Sequence, residues 1–119
     1  MPLDLTLFSD FVCPWCYLAE RSTIQRLQDE FDVAVRWVGF ELHPEIPRGG
    51  VPIEAMFPRP MLDAMLVPLQ AAAERIGLPL RPPTRVPNTR SALAVAEYGR
   101  AHGGLDAFRH RAMDAFWAD

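Results

Sequence analysis

The chain has 119 residues, 50% of them apolar, with 12 basic residues against 15 acidic ones and a formal net charge of −3. That is the length of one domain, enough to bury a core and too apolar for a disordered chain. The cations, all arginine, are scattered, which excludes the clustered basic stripe of a nucleic-acid binder, and no apolar run is long enough to span a bilayer.

Leu3 to Phe8 alternates loosely and runs into Ser9-Asp10, a short strand ending in turn residues. The segment Met1-Pro2-Leu3-Asp4-Leu5-Thr6 has neither a basic leader nor a long apolar stretch, so no signal peptide is expected and the expected compartment is cytoplasmic. In that compartment a Cys-x-x-Cys pair points to redox chemistry or metal rather than to a structural staple. Phe11-Val12 leads into Cys13-Pro14-Trp15-Cys16 and then a helical pattern. Tyr17, Ile24, Leu27 and Phe31 share one face, with Glu20, Arg21, Gln28 and Glu30 mostly elsewhere. Pro14 suits the first helical position, where a missing N–H costs nothing, which makes Cys13 the helix cap. Val33, Val35 and Trp37 then alternate in a second strand that continues toward Leu42, with Gly39 as a bulge. Trp37 falls on the core side. Strand, helix and strand in this order give a parallel βαβ unit.

Ten of the twelve prolines fall between Pro44 and Pro87, and residues 43–60 read as an ordered but irregular loop. Leu62, Met65, Leu66, Leu69, Ala72, Ala73 and Ile76 form a helical stripe closed by Gly77 and Pro79, with Pro68 kinking or interrupting it. A further helix starts after Asn88, a good cap, and stops at Gly103-Gly104. The last carries Leu105, Phe108, Ala112 and Phe116 on one face. The fold class is therefore α/β, in three parts: a β-α-β segment over residues 1–42, a proline-rich loop over 43–60 and a helical part over 61–119.

Dithiol exchange needs one nucleophilic thiolate and a second thiol near enough to resolve the mixed disulfide. Two residues of spacing on a first helical turn supply this, and the unpaired N–H groups of a helix N-terminus favour a thiolate there. Cys13 is expected to be the exposed, activated nucleophile and Cys16 the more buried resolving thiol. Pro14 and Trp15 tune the turn, and Trp15, with Phe11 and Val12 beside it, is either a substrate-contact surface or ordinary packing. A structural disulfide across two residues is strained. A zinc site would need two further ligands from His43, His102, His110 or carboxylates, and no second pair stands at ligand spacing. The histidines read as surface or loop residues. No metal and no cofactor are expected.

The segment Ser9-Asp10-Phe11-Val12-Cys13-Pro14-Trp15-Cys16-Tyr17 resembles the active-site segment of FrnE-like proteins, a branch of the DsbA family. The similarity extends through Trp37-Val38-Gly39-Phe40-Glu41-Leu42-His43-Pro44 and Pro87-Asn88-Thr89-Arg90-Ser91-Ala92-Leu93. The resemblance implies a thioredoxin-like β-α-β unit followed by a DsbA-type helical insertion, with Cys13 and Cys16 as the redox pair. It also implies protein or glutathione-like small-thiol partners, with no nucleic acid and no membrane among them. Members of that family are longer, returning to two more strands and a last helix, preceded by a cis proline beside the cysteines. A shortened or partial member lacking those C-terminal elements is therefore the expectation here.

Two rival functions remain open at this point. Glutathione-dependent 2-hydroxychromene-2-carboxylate isomerases and kappa-class glutathione transferases are similar in fold, but usually carry serine where Cys13 stands and lack the second thiol. The other rival is a non-catalytic interaction module. In the complete fold implied by the resemblance the first strand is central, so this chain alone would leave a strand edge open. A homo-oligomer that buries this edge is expected; light scattering at micromolar concentration should report a mass above the 13.4 kDa of one chain.

Overall fold

The computed structural model describes residues 2–119; Met1, part of the segment read for a leader, lies outside them. Strand β1 (Leu3–Ser9) pairs in parallel with β2 (Val33–Gly39), in a register running from Leu3 opposite Val33 to Ser9 opposite Gly39. A parallel pair needs a crossover, and helices α1 (Pro14–Arg21) and α2 (Thr23–Glu30) supply it. The alternation of β2 places Trp37 in the core, as its sequence position predicts.

The crossover is two helices rather than one. Ser22 breaks it, with φ −130° and ψ −84°, and its hydroxyl donates to the Leu18 carbonyl at 2.6 Å. A serine that bonds back to a carbonyl one turn earlier competes with the helical ladder, which is the local cause of the break. Past it, α2 buries no residue. Ile24 and Leu27 are half-buried and Phe31 is exposed.

Gly39 is the last paired residue of β2 and not a bulge. Its missing side chain has another use: a Cβ there would come within 2.8 Å of Leu93 Cδ2, on the helix that crosses behind. Residues 43–60 are more regular than their prolines suggest. A two-residue strand β3 (Val51–Pro52) pairs antiparallel with β4 (Arg85–Val86), and a one-turn helix α3 (Ile53–Met56) follows β3. This small ladder forms because Arg85-Val86 is brought alongside by tertiary packing, which local composition does not reveal.

Helix α4 (Arg59–Arg75) runs through Pro68 without interruption. It ends as its glycine predicts: Gly77 takes φ +67°, Leu78 N donates to the Ala73 carbonyl at 2.9 Å, and Gly77 N donates to Glu74 O at 3.1 Å. Helix α5 (Arg90–His102) is entered through Thr89, with Asn88 Oδ1 accepting from Arg90 N at 3.0 Å. Helix α6 (Leu105–Trp117) follows Gly103-Gly104 and turns its buried face, Met113 and Trp117, inward. The half-buried Leu105, Phe108, Ala112 and Phe116 pack around that face.

One core joins all these parts. Phe11, Tyr17, Leu18, Trp37, Leu69, Ala73, Ala96, Met113 and Trp117 pack together, so the helical part and the β-α-β part are not separate bodies. Two polar tips within this apolar mass are satisfied: Tyr17 Oη donates to Pro79 O at 2.7 Å, and Trp117 Nε1 donates to Phe11 O at 2.8 Å. Trp117→Ala would remove a large buried ring and leave the Phe11 carbonyl unpaired. We expect it to cost about 3–5 kcal/mol of stability, read as a lowered denaturant midpoint.

Candidate active site at the Cys13–Cys16 turn

The site begins where β1 ends. Asp10 closes a turn by accepting Cys13 N on its backbone carbonyl at 3.2 Å, and its side-chain Oδ2 accepts Leu42 N at 2.8 Å, which ties the segment after β2 to the same turn. Cys13 then caps α1 with extended backbone (φ −92°, ψ 109°), and Pro14 takes the first turn of the helix. Cys13 Sγ accepts the backbone N–H of Cys16 at 3.3 Å. A thiol or thiolate at this position thus receives a helix N–H that would otherwise lack a partner.

Cys13, Pro14 and Trp15 line one end of an apolar groove of about 410 Å³. Its other walls come from Leu42 and His43 after β2, from α3 and α4, and from Phe116 of α6. Trp15 stands exposed at the rim. Cys16 does not line the groove, and it packs against the core. Both thiols are half-buried, so the difference between them is direction rather than exposure.

The two sulfurs titrate as a pair. Cys16 is lowered to about 6, chiefly by a hydrogen bond from the Cys13 thiol, with Asp10 and Ser9 also favouring its thiolate. Cys13 is pushed up by holding that shared proton and by burial. The sequence reading put the lowered value on Cys13. The structure corrects this: the two sulfurs share one proton, so the ease of ionisation belongs to the dithiol rather than to either sulfur alone.

Phe11 also needs correction. It is buried rather than part of a contact surface, tilted against Trp37 at 5.7 Å and edge-on to Phe108 at 6.0 Å. The preceding turn points it inward under α6. His43 was read as a loop residue; it does lie in a loop, but one that lines the groove, 3.2 Å from Glu45. His102 packs tilted against Tyr98 and His110 lines a separate cavity, so neither joins the cysteines. Among the described residues no three His, Cys, Asp or Glu side chains gather as a metal site would require.

Sequence reasoning missed a buried polar group behind the turn. Glu20 was placed on the polar side of the helix, yet it is buried. Its Oε2 accepts from Ser9 Oγ at 2.9 Å and its Oε1 from Arg109 at 2.5 Å. Glu20 follows Cys16 by one helical turn, and that spacing was the available signal of a shared face. Such a pair depends on both partners, since removing either one typically costs about 3–5 kcal/mol.

With this geometry in view, comparison with known proteins is informative. The family model described as a DSBA-like thioredoxin domain matches residues 4–119. The chain belongs to that family. This DSBA-like domain is 25% identical to the uncharacterized protein YwbO of Bacillus subtilis over all of its own length and 58% of that protein's. Its fold matches the crystal structure of a probable DsbA oxidoreductase from Streptomyces coelicolor, with a TM-score of 0.80 at 22% identity, over 96% of this chain and 53% of the other. It also matches a 2-hydroxychromene-2-carboxylate isomerase, with a TM-score of 0.72 at 24% identity, over 96% of this chain and 56% of the other. The DSBA-like domain thus spans little more than half the length of these proteins.

The pair's ionisation makes a pH prediction. The ultraviolet absorbance of thiolate in the reduced protein should rise with a midpoint of about 6, and Cys13→Ala, which deletes the S–H donor, should move Cys16 back toward 9.0. The folded value lies below the unfolded one, so this ionisation stabilises the reduced fold. The contribution grows between about 6 and 9.0 and is lost as pH falls through about 6; above 9.0 the raised Cys13, which resists ionising in the fold, works against it.

Proposed function

We propose that this DSBA-like domain is a thiol–disulfide oxidoreductase, a protein disulfide oxidoreductase of the DsbA type. One observation carries the reading: Cys13 caps α1 at the mouth of an apolar groove, with Cys16 one turn behind it and turned to the core. An incoming disulfide R–S–S–R′ meets the dithiol from the groove side. Cys13 passes the shared proton to Cys16 and attacks one sulfur as a thiolate, forming Cys13–S–S–R and expelling R′S⁻; Cys16 loses that proton to solvent before the second step. Cys16 then attacks Cys13 Sγ, releasing RS⁻ and leaving the Cys13–Cys16 disulfide. The substrate gains two electrons and the dithiol loses them; with an oxidised pair the same steps run backwards.

The substrates we propose are protein disulfides or thiols and glutathione-like small thiols, in the cytoplasm, with no cofactor. The likeness of residues 9–17 to the FrnE branch supports placing the chain in that branch. The outer edge of β1, unpaired among the described residues with Leu3 and Phe8 exposed beside it, supports assembly with a second copy.

A glutathione-dependent isomerase is the second reading. The fold shared with the 2-hydroxychromene-2-carboxylate isomerase and an apolar groove able to hold a small ring system favour it. The second thiol at Cys16 counts against it, because isomerisation with an added thiol has no use for a resolving sulfur.

Reduction of insulin disulfides in the presence of excess dithiol separates the readings. The wild type should turn over, and Cys13→Ser should lose about 10³-fold or more, as when an attacking group is removed. A wild type that folds but shows only glutathione-dependent isomerisation would establish the second reading. A folded wild type with neither activity would leave an interaction module.

A further inference from the structure

When the Cys13–Cys16 pair is oxidised, the groove receives a thiol R–SH rather than a disulfide. The walls around Cys13 are largely apolar, with Val12, Leu42, Ile53, Phe57 and Met65 among them. An apolar wall disfavours charge, so the thiol enters protonated and has to lose its proton beside Cys13 before it can attack. Among the described residues that line the groove, His43 is the one side chain besides Cys13 that can exchange a proton.

The fold holds this imidazole in place. Asp10 links the two sides of the site: its backbone carbonyl accepts Cys13 N at 3.2 Å and its Oδ2 accepts Leu42 N at 2.8 Å, so the reactive turn and the residue before His43 hang from one buried residue. The His43 carbonyl accepts Ile46 N at 3.2 Å, which closes a turn. Ile46 is buried, and its own carbonyl accepts from Asn88 Nδ2 at 2.6 Å. The His43 ring is half-buried, and its Nδ1 lies 3.2 Å from Glu45 Oε1. A carboxylate there accepts Nδ1–H and selects the neutral tautomer in which Nε2 carries a lone pair. Among the described residues Nε2 has no hydrogen-bond partner of its own.

We propose that His43, oriented by Glu45, is the general base that takes the proton of a substrate thiol in the groove and the acid that returns it when a thiol departs. This rests on the thiol–disulfide exchange proposed above. In the forward step the R–SH proton passes to His43 Nε2 as the substrate sulfur bonds to Cys13 Sγ. The Cys13–Cys16 bond breaks with its electron pair on Cys16, which takes a proton from solvent. The substrate sulfur is thereby oxidised and the Cys16 sulfur reduced, with no further reactant. In the opposite direction the protonated imidazole gives its proton to the expelled R′S⁻, which the apolar groove would otherwise hold as a poorly solvated charge.

Few charged groups compete for this proton. Glu45 shares the loop with His43, Glu41 two residues earlier is paired with Arg90, and Asp10 is bonded to Leu42 N through Oδ2. Cys13 faces the groove from the start of α1, whereas α3, α4, β4 and α6 turn apolar side chains into it. The arrangement of carboxylate, imidazole and reacting sulfur is that of an activated nucleophile, with the sulfur supplied by the substrate.

Two thiols that each carry one phenyl ring test the assignment. Slightly above neutral pH benzyl thiol is almost wholly protonated, whereas thiophenol is largely ionised and needs no base. Each is mixed in excess with the oxidised protein, and the freed Cys16 is followed by acid quenching, alkylation and mass spectrometry. His43→Gln should slow the reaction with benzyl thiol by about 10²-fold, a loss typical of a removed general base. The same variant should react with thiophenol within a few-fold of the wild-type rate. Glu45→Gln should show the same selectivity with a smaller loss. Should His43→Gln fail to fold, as judged by circular dichroism, Glu45→Gln at its exposed position decides the matter. A wild-type rate toward benzyl thiol in these variants overturns the assignment and leaves the exchange standing. Equal slowing with both thiols overturns it too, since that is the mark of a structural role. A folded wild type whose disulfide neither thiol opens overturns the exchange, and the base with it.

Discussion

The Trp117 indole ties the end of the last helix to the Phe11 carbonyl, two residues before the reactive turn, through a buried hydrogen bond of 2.8 Å. The same indole stacks on Tyr17, the residue immediately after Cys16, with ring centroids 6.3 Å apart. Residues on both sides of the motif are therefore held by one side chain from the far end of the chain. A parallel pair of strands and a short crossover bury too little to stand alone. The helical part supplies the missing core, and it does so at the point where the thiols must be positioned.

That arrangement gives α1 two unlike sides. Toward the groove its first turn meets an apolar wall built by α3, α4 and Phe116, with Cys13 at its edge. Toward the strands it buries Ser9 and Glu20, closed off by Arg109 from α6. Burying a carboxylate is costly unless its oxygens are bonded, and here each oxygen has a partner, at 2.9 and 2.5 Å. The exposed ion pair Arg26–Glu30, one helix further on, carries no such constraint and contributes little. The fold thus concentrates its electrostatic cost in the few residues around Cys16.

What could be read from the sequence was what depends on local rules. Pro14 and Cys13 at a helix start, Gly77 after α4 and the alternation around Trp37 each follow from backbone or side-chain geometry within a few residues, and each stands where those rules put it. What escaped depends on contacts made by distant segments. Val51-Pro52 becomes a strand only because Arg85-Val86 lies beside it. Gly39 serves the approach of Leu93, and Phe11 turns inward because Phe108 and Trp117 receive it. Glu20 looked polar in a helical projection, and its burial requires Arg109, 89 residues along the chain.

The thiol pair shows most clearly how a local rule and a tertiary one divide the work. Helix capping explains why a sulfur at position 13 can carry charge, since it receives the Cys16 N–H whatever the rest of the fold does. Capping does not decide which sulfur ionises. The hydrogen bond from the Cys13 thiol chiefly favours charge on Cys16 and burial opposes it, with Asp10 and Ser9 at the end of β1 adding to the first and Glu20 to the second. The charge of Glu20 is the smallest of these influences on Cys16. A cap alone would give one sulfur able to carry charge; the second thiol, held one turn on by the core, lets the pair share a single proton.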